Sequence, residues 1–230
     1  MSDVSVLIYS CDVYADIWNP FFTLFFRYWN CPYKVYITTE TRKCEFENVI
    51  TLNTTGDNWT DRIREAVKQI PTKYIIGMCE DMFFRRPVRQ EIIDNCVTYM
   101  NQDYKKEIAS FNFEMANSII DESEYPWFGL KTCEYDYQKN CQPNLWRKEV
   151  LLELLQASQS PWEWETSLAP MNYKYYVWNG DPDKLVFEYG YHGKWFGIQK
   201  GKWVIDDVAP LFEKEGINID YSIRGIIKGD

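Results

Sequence analysis

Two adjacent carboxylates, Glu80 and Asp81, close an apolar run of strand length, Tyr74-Ile75-Ile76-Gly77-Met78-Cys79. In open α/β sheets function gathers beyond the C-terminal ends of the strands. Two acidic side chains at such an edge can hold a hard divalent cation, Mn²⁺ or Mg²⁺, through oxygen, and the cation can in turn hold the phosphates of a nucleotide. The plainer reading of an acidic pair after a strand is a helix N-cap or a solvated turn.

Other residues could work with this pair. Ser10-Cys11-Asp12 and Thr38-Thr39-Glu40 follow the first two apolar runs and bring small polar groups suited to a base and a ribose. For Asp12, turn chemistry is an equal alternative. Arg62 falls in the first turn of a helix and suits either a phosphate or a base edge, or else an ordinary surface ion pair. In Ser160-Pro161-Trp162-Glu163-Trp164-Glu165, carboxylates able to take a hydroxyl proton alternate with aromatic faces that stack on sugar rings. From that composition alone a buried turn with a helix start at Glu165 is the preferred reading, and the carboxylates after the fourth strand tip it toward catalysis. His192, the one histidine of the chain, is a candidate metal or diphosphate ligand or a structural loop residue.

Short β-branched runs must position these groups. Val4–Tyr9, Lys34–Thr38, Val49–Leu52 and Tyr74–Cys79 alternate with helical patterns, which predicts an α/β sheet with several parallel strands. Asn19-Pro20 reads as a cap and first-turn proline before an apolar helix over Phe21–Trp29. Thr60 reads as the cap of a helix carrying Ile63, Ala66, Val67 and Ile70, and a third helix is predicted from Pro87. Ala109–Phe113 reads as a strand, 117–141 as irregular, and Val150, Leu151, Leu154 and Leu155 as one helix face. From Asn172 onward, aromatic runs broken by glycine predict short strands and loops.

Composition narrows the function classes. A formal charge of -9 over 230 residues argues against broad nucleic-acid binding, which needs basic surface. Seven cysteines without a CxxC pair read as reduced, mostly buried thiols, and their spacings with a single histidine argue against structural zinc. No GxGxxG, Walker or GxSxG motif is present. The first residues lack a signal-peptide pattern and no apolar stretch reaches membrane-span length, so a cytoplasmic location, with peripheral contact at the inner face of the membrane, is expected. Aromatics make up 17% of the chain, which fits carbohydrate contact as well as a large core.

Taken in order, Ser10-Cys11-Asp12, Trp18-Asn19-Pro20-Phe21-Phe22, Tyr28-Trp29, Cys31-Pro32-Tyr33, Trp59-Thr60-Asp61-Arg62, Glu80-Asp81-Met82-Phe83-Phe84, Cys141-Gln142-Pro143-Asn144-Leu145-Trp146-Arg147-Lys148 and Pro161-Trp162-Glu163-Trp164-Glu165 resemble bacterial GT-A-fold glycosyltransferases of capsule, exopolysaccharide and lipopolysaccharide assembly. The resemblance implies a GT-A-like (Rossmann-like) mixed sheet flanked by helices, in one domain over 1–230. Residues 1–115 would bind the nucleotide sugar and 116–230 would form an irregular acceptor side.

It further implies a donor, by default a UDP-sugar, lying across the first four strands with its base near Ser10, Cys11, Asp12 and Thr38. Glu80 and Asp81 would take the place of the metal-holding D-x-D motif, with Asp81 the better ligand because the segment here reads Cys-Glu-Asp-Met. Glu165, with Glu163 second, would be the base of an inverting transfer, and Arg62 would stabilise the departing diphosphate. Trp162, Trp164 and Gln142 would line the site of a saccharide or lipid-linked saccharide acceptor. Two other readings stay open: a sugar-phosphate nucleotidyltransferase, and a non-catalytic carbohydrate-binding protein of glycan assembly.

Overall fold

A computed structural model describes residues 3–116, 120–132, 137–170, 172–190 and 197–229. In chain order the elements are β1 (Val4–Tyr9), α1 (Ala15–Tyr28), β2 (Lys34–Thr39), β3 (Val49–Asn53), α2 (Trp59–Gln69), β4 (Tyr74–Cys79), α3 (Gln90–Gln102) and β5 (Ile108–Met115). There follow β6 (Ile120–Asp121), β7 (Phe128–Lys131), β8 (Asn144–Arg147), α4 (Lys148–Leu154), α5 (Pro161–Thr166) and β9 (Lys174–Trp178). The chain ends with β10 (Ile198–Gln199), β11 (Lys202–Val204), α6 (Ile205–Glu215) and β12 (Ile226–Ile227).

Nine strands form one mixed sheet in the order β3-β2-β1-β4-β8-β5-β9-β7-β6, and β10-β11-β12 form a small second sheet. The first four in that order are mutually parallel. β8 then runs antiparallel to both β4 and β5, and β9 runs parallel to β5. The chain winds outward from β1 to β3 and returns to place β4 on the other side of β1, so the β1/β4 boundary is the topological switch point where such sheets bind ligands. Strand direction brings the ends of β1, β4, β5 and β9 and the beginning of β8 to one edge. This is the mixed α/β sheet with flanking helices that the sequence led us to expect.

The β1 and β4 runs are apolar but for Ser5 because both faces are covered. Val6, Ile8, Ile76 and Met78 pack with Phe21, Phe22 and Phe25 of α1 and Ile92, Ile93 and Cys96 of α3. Leu7, Tyr9 and Ile75 face the other way, toward Ile63, Ala66 and Val67 of α2, Val150 and Leu151 of α4, and Trp164. At Gly77, opposite Leu7 in the register, the strand makes room for the Tyr9 ring: a Cβ there would stand 1.9 Å from Tyr9 Oη and 2.4 Å from Cζ. Among the described residues no helix is long and apolar enough to cross a membrane.

Several boundaries differ from the sequence expectation. α1 begins at Ala15, not after Pro20, because a 3₁₀ turn over Asp12–Tyr14 feeds directly into it. Pro20 therefore lies inside the helix, and Trp18 becomes a buried helical residue. α2 starts at Trp59, with Asn58 as the cap residue. Thr60 instead donates its hydroxyl to Ala157 O at 2.7 Å and accepts from Gln159 N at 2.8 Å. α3 starts at Gln90, since Val88 N and Arg89 N are committed to Tyr28 O and Val186 O. β8 and α6 have no counterpart in the sequence reading, whereas β9 falls where short strands are expected from Asn172 onward.

Gly77→Ala is expected to cost about 1–3 kcal/mol through overpacking. Tyr9→Phe removes a buried hydroxyl that has no partner among the described residues and should be near neutral. Denaturant titration of the two single variants and the double variant checks this, the alanine costing less in the Tyr9→Phe background.

Candidate functional site

At the switch point the ends of β1, β2 and β4 are tied by side chains. Ser10 N donates to Thr38 Oγ1 at 2.9 Å, and Thr38 Oγ1 donates to Ser10 O at 3.0 Å. Trp18 Nε1 donates to Ser10 Oγ at 2.7 Å, and Ser10 Oγ donates to Glu80 Oε1 at 2.6 Å. Glu80 is 5% exposed. Burial, with the charge of Asp81, raises its pKa to about 8 against the Ser10 hydrogen bond. Ser10, Thr38 and Glu80 thus come together, but as an inward-facing network.

Asp81 differs from its neighbour. Its Oδ1 is shielded from solvent and has no hydrogen-bond partner among the described residues. Burial raises its pKa to about 7, with the Glu165 charge adding to the rise and a backbone hydrogen bond and Arg224 opposing it. A buried carboxylate oxygen without a donor is costly unless something else satisfies it. Among the described residues no three His, Cys, Asp or Glu side chains converge as a metal site. Mg²⁺ is commonly held by one or two carboxylates together with substrate phosphates, so Asp81 alone fits that role. His192 lies outside the described residues.

The groups after β1 and β2 form a separate cluster. Asp12 accepts from the N–H groups of Glu40, Thr41 and Arg42 at 3.1, 3.0 and 3.1 Å, and from Thr41 Oγ1 at 2.6 Å. Burial would raise its pKa, but these donors outweigh it and hold the carboxyl low. Asp12 is therefore a turn-holder, its acceptor capacity already used. Asp12 N donates to Glu40 Oε2 at 2.6 Å, and Arg62 Nη1 lies 3.4 Å from Glu40 Oε1. Cys11 sits between these groups, its thiol pushed up by burial and by the charges of Glu80 and Glu40, with Arg62 opposing.

Across the edge, β5 and the chain entering β8 build a polar wall. Asn112 Nδ2 donates to Asn140 Oδ1 at 2.8 Å, Asn140 Nδ2 donates to Glu114 Oε2 at 2.9 Å, and Gln142 N donates to Asn140 Oδ1 at 3.2 Å. Tyr189 Oη donates to Gln142 Oε1. Cys141 N donates to Glu165 Oε1 at 2.7 Å. Lys131 Nζ donates to Tyr137 O and Gln138 O at 3.1 Å, and Lys139 Nζ donates to Ser167 Oγ at 2.8 Å.

Burial shifts all four charged groups of this wall toward neutrality. It raises Glu114 to about 7, eased by Lys131 and reinforced by Glu165. It lowers Lys131 to about 7 against the Glu114 charge, and Lys139 to about 8 against that of Glu165. Glu165 is likewise raised by burial, with Cys141 and Lys139 opposing. Side chains that titrate near neutrality can take or give a proton at working pH.

The aromatic acidic segment divides. Glu163 closes a capping box, accepting from Ser160 N and Ser160 Oγ at 2.8 Å each. Two residues apart on a helix, Glu163 and Glu165 face different sides. The structure therefore places Glu163 at the cap and only Glu165 at the wall. Glu165 lies in the last turn of α5, not before a helix. Trp164 is fully buried, donates Nε1 to Leu154 O at 3.0 Å and packs on Trp59 and Trp146, which makes it a core residue instead of an acceptor-facing one. Trp162 is 75% exposed.

Glu114, Lys131, Lys139 and Asn140 escaped the sequence reading. Glu114 had a usable signal, an acidic residue at the end of an apolar strand, but the strand was read as ending one residue earlier. Lys131 ends the short β7, and Lys139 and Asn140 lie in irregular chain without a periodic pattern.

No protein-family model matches the sequence, and no curated protein matches it. Among solved structures, the fold is similar to the bifunctional IspDF of Campylobacter jejuni at 11% identity and a TM-score of 0.44, over 69% of this chain and 44% of that one. It is also similar to 2-C-methyl-D-erythritol 4-phosphate cytidylyltransferase of Francisella tularensis (10% identity, TM-score 0.40, 67% and 76% of the two chains). A third similar structure is TarS of S. aureus (10%, 0.41, 65% and 48%). The chain spans under half the length of the first and third of these. At this level of similarity they assign no activity to this protein.

Glu114 supplies a stability test with a definite sign. Its folded pKa lies above the ordinary carboxyl value of 4.5, near 7, so the favourable protonated form is lost as pH rises through that window. Glu114→Gln should therefore raise the melting temperature relative to wild type at pH 8 and change it little at pH 4. Thermal unfolding at both pH values measures this, and an equal or opposite effect at pH 8 would show that Glu114 is not held in a desolvated wall.

Proposed function

We propose that the protein is a nucleotide-sugar-dependent glycosyltransferase. The observation that carries the reading is Asp81: a carboxylate oxygen, buried and without a donor among the described residues, at the switch point of the sheet and within the electrostatic reach of Glu165. A nucleotide diphosphate brought there with Mg²⁺ or Mn²⁺ would satisfy that oxygen. Such an ion, when bound, supplies charge neutralisation for the diphosphate as it departs. The donor nucleoside would lie over the ends of β1 and β2, beside Cys11, Glu40 and Arg62.

Glu165 is the base of this reading. The acceptor hydroxyl oxygen attacks the anomeric carbon, the bond from that carbon to the diphosphate oxygen breaks, and the hydroxyl proton passes to Glu165. The backbone N–H of Cys141 fixes one oxygen of Glu165, and partial burial raises the carboxyl's affinity for the proton it must accept. Glu114, Asn140 and Gln142 face the same wall and would hold the acceptor's other hydroxyls, and exposed Trp162 would offer a ring face further out. A single in-line displacement of this kind inverts configuration.

The finer assignment follows the sequence resemblance: a UDP-sugar donor and a saccharide or lipid-linked saccharide acceptor of surface polysaccharide assembly, met at the cytoplasmic face of the membrane by a single-domain enzyme. The turn after β1 favours sugar transfer over nucleotidyl transfer. That turn carries Asp12, whose carboxylate is bonded to the loop after β2, where an incoming triphosphate would need a basic, glycine-rich cradle.

A thermal-shift screen against UDP-, GDP-, CMP- and dTDP-sugars, each with Mn²⁺, Mg²⁺ or chelator, tests the donor class, because a ligand that binds only the native state raises its apparent stability. One nucleotide should give a shift that chelator and Asp81→Asn both abolish. Glu165→Gln should keep the donor shift and lose about 10²–10⁴-fold in release of nucleoside diphosphate. Release of inorganic pyrophosphate from a nucleoside triphosphate would establish the nucleotidyltransferase instead. A protein that shifts with oligosaccharide and with no nucleotide would be a glycan-binding protein.

A further inference from the structure

The C-terminal segment folds back over the exit of β4. Gly197 N donates to Asp81 O at 3.2 Å, and Phe83 packs on Trp203 and Phe212 at ring separations of 6.0 and 5.1 Å. Arg85 Nη2 binds Asp207 Oδ1 at 2.7 Å. β12 pairs with β11, and Trp203 N donates to Gly225 O at 3.1 Å. Gly225 takes φ of 71°, a conformation in which a side chain is disfavoured, and this turns the chain so that the preceding residue, Arg224, reaches back toward α1.

Arg224 is held there firmly. Its Nε donates to Asp16 Oδ2 at 2.7 Å, Nη2 donates to Asp16 Oδ1 at 2.5 Å and to Val13 O at 2.7 Å, and the guanidinium stands 4.3 Å from the centre of the Tyr14 ring. The side chain is 6% exposed. These contacts use three of the five guanidinium N–H donors and leave the Nη1 pair without a partner among the described residues. Arg224 is also the cation whose charge acts on both Glu80 and Asp81. Arg62, the arginine singled out by the sequence, is instead paired with Glu40 beyond β2, and its charge acts on Cys11.

We propose that Arg224 is a donor-binding residue, its Nη1 edge taking the diphosphate of the nucleotide that Asp81 addresses from the other side. The assignment rests on the nucleotide-donor reading above. Asp16 and Tyr14 fix the plane of the guanidinium before the ligand arrives, so little side-chain entropy is lost on binding, and a planar fork matches phosphate oxygens as an ammonium does not. The segment after α6 is on this account part of the donor site, and Arg62 serves the nucleoside end.

The test compares nucleoside monophosphates with diphosphates. Wild type, Arg224→Gln, Arg224→Lys and Arg62→Gln are titrated calorimetrically with UMP and UDP, and with the CMP/CDP, GMP/GDP and dTMP/dTDP pairs, all at one Mg²⁺ concentration. For the pair that wild type binds, Arg224→Gln should weaken the diphosphate about tenfold or more, the worth of a charged hydrogen bond, and leave the monophosphate within about twofold. Arg224→Lys should fall between, and Arg62→Gln should weaken both ligands alike. Circular dichroism confirms folding, and Arg224→Lys decides the matter if the glutamine variant does not fold. An unchanged diphosphate affinity, or an equal loss for both ligands, overturns the role of Arg224 while leaving nucleotide binding intact. Failure of wild type to bind any of the eight ligands overturns the nucleotide reading itself, and this assignment with it.

Discussion

The parallel pairing of β1 with β4 is the constraint on which the site depends. It brings Ser10 and Glu80, 70 residues apart in the chain, within 2.6 Å. Because both faces of the pair are covered by helices, its interior side chains are apolar and polar chemistry is confined to the end of the strands. There the Trp18–Ser10–Glu80 chain of hydrogen bonds makes one carboxylate structural. That leaves the next residue, Asp81, as the carboxylate with an oxygen to offer. Adjacent residues of the same chemical type thus acquire different roles from the direction each faces.

The antiparallel insertion of β8 between β4 and β5 has a second consequence. It reverses the chain, so that the segment 137–143 enters the sheet at the edge where β4 and β5 leave it. Asn140, Cys141 and Gln142 then meet Glu114 and Glu165 across a few ångströms. The wall is assembled from several separate chain segments, and its lysines donate to backbone carbonyls of the irregular segments. Desolvation of these groups works against stability, and such a cost is typical of sites shaped for binding or proton transfer.

The third contribution comes from the C-terminal quarter of the chain. A small sheet and α6 clamp the aromatic segment after β4, and the two faces meet through Phe83, Trp203 and Phe212. The edge of the large sheet is thereby closed by protein on the side of α1, and Arg224 of the closing segment is fixed against Val13, Tyr14 and Asp16 just beyond β1. The aromatic content that suggested sugar contact is explained for the most part by such packing: Trp29, Trp146, Trp164, Trp178 and Trp203 are all buried.

What the sequence by itself determined is local in origin. β1, β2, β3 and β4, the position of the acidic pair at the end of β4 and the apolar character of α1 follow from runs of neighbouring residues whose alternation and hydropathy act over a few positions. The start of α1 was misread because a preceding turn, set by contacts beyond the helix, let it begin before its proline. Glu163 could have been assigned to its capping box from Ser160 alone, since that motif spans four residues. The opposite fates of Glu80 and Asp81, the burial of Trp164, the recruitment of Glu114 and the approach of Arg224 to a site formed more than 140 residues earlier were decided only by tertiary structure. Each depends on which strand is inserted beside which, and in which direction, and that order is set by the burial of two apolar faces over the whole chain, which no short window of sequence records.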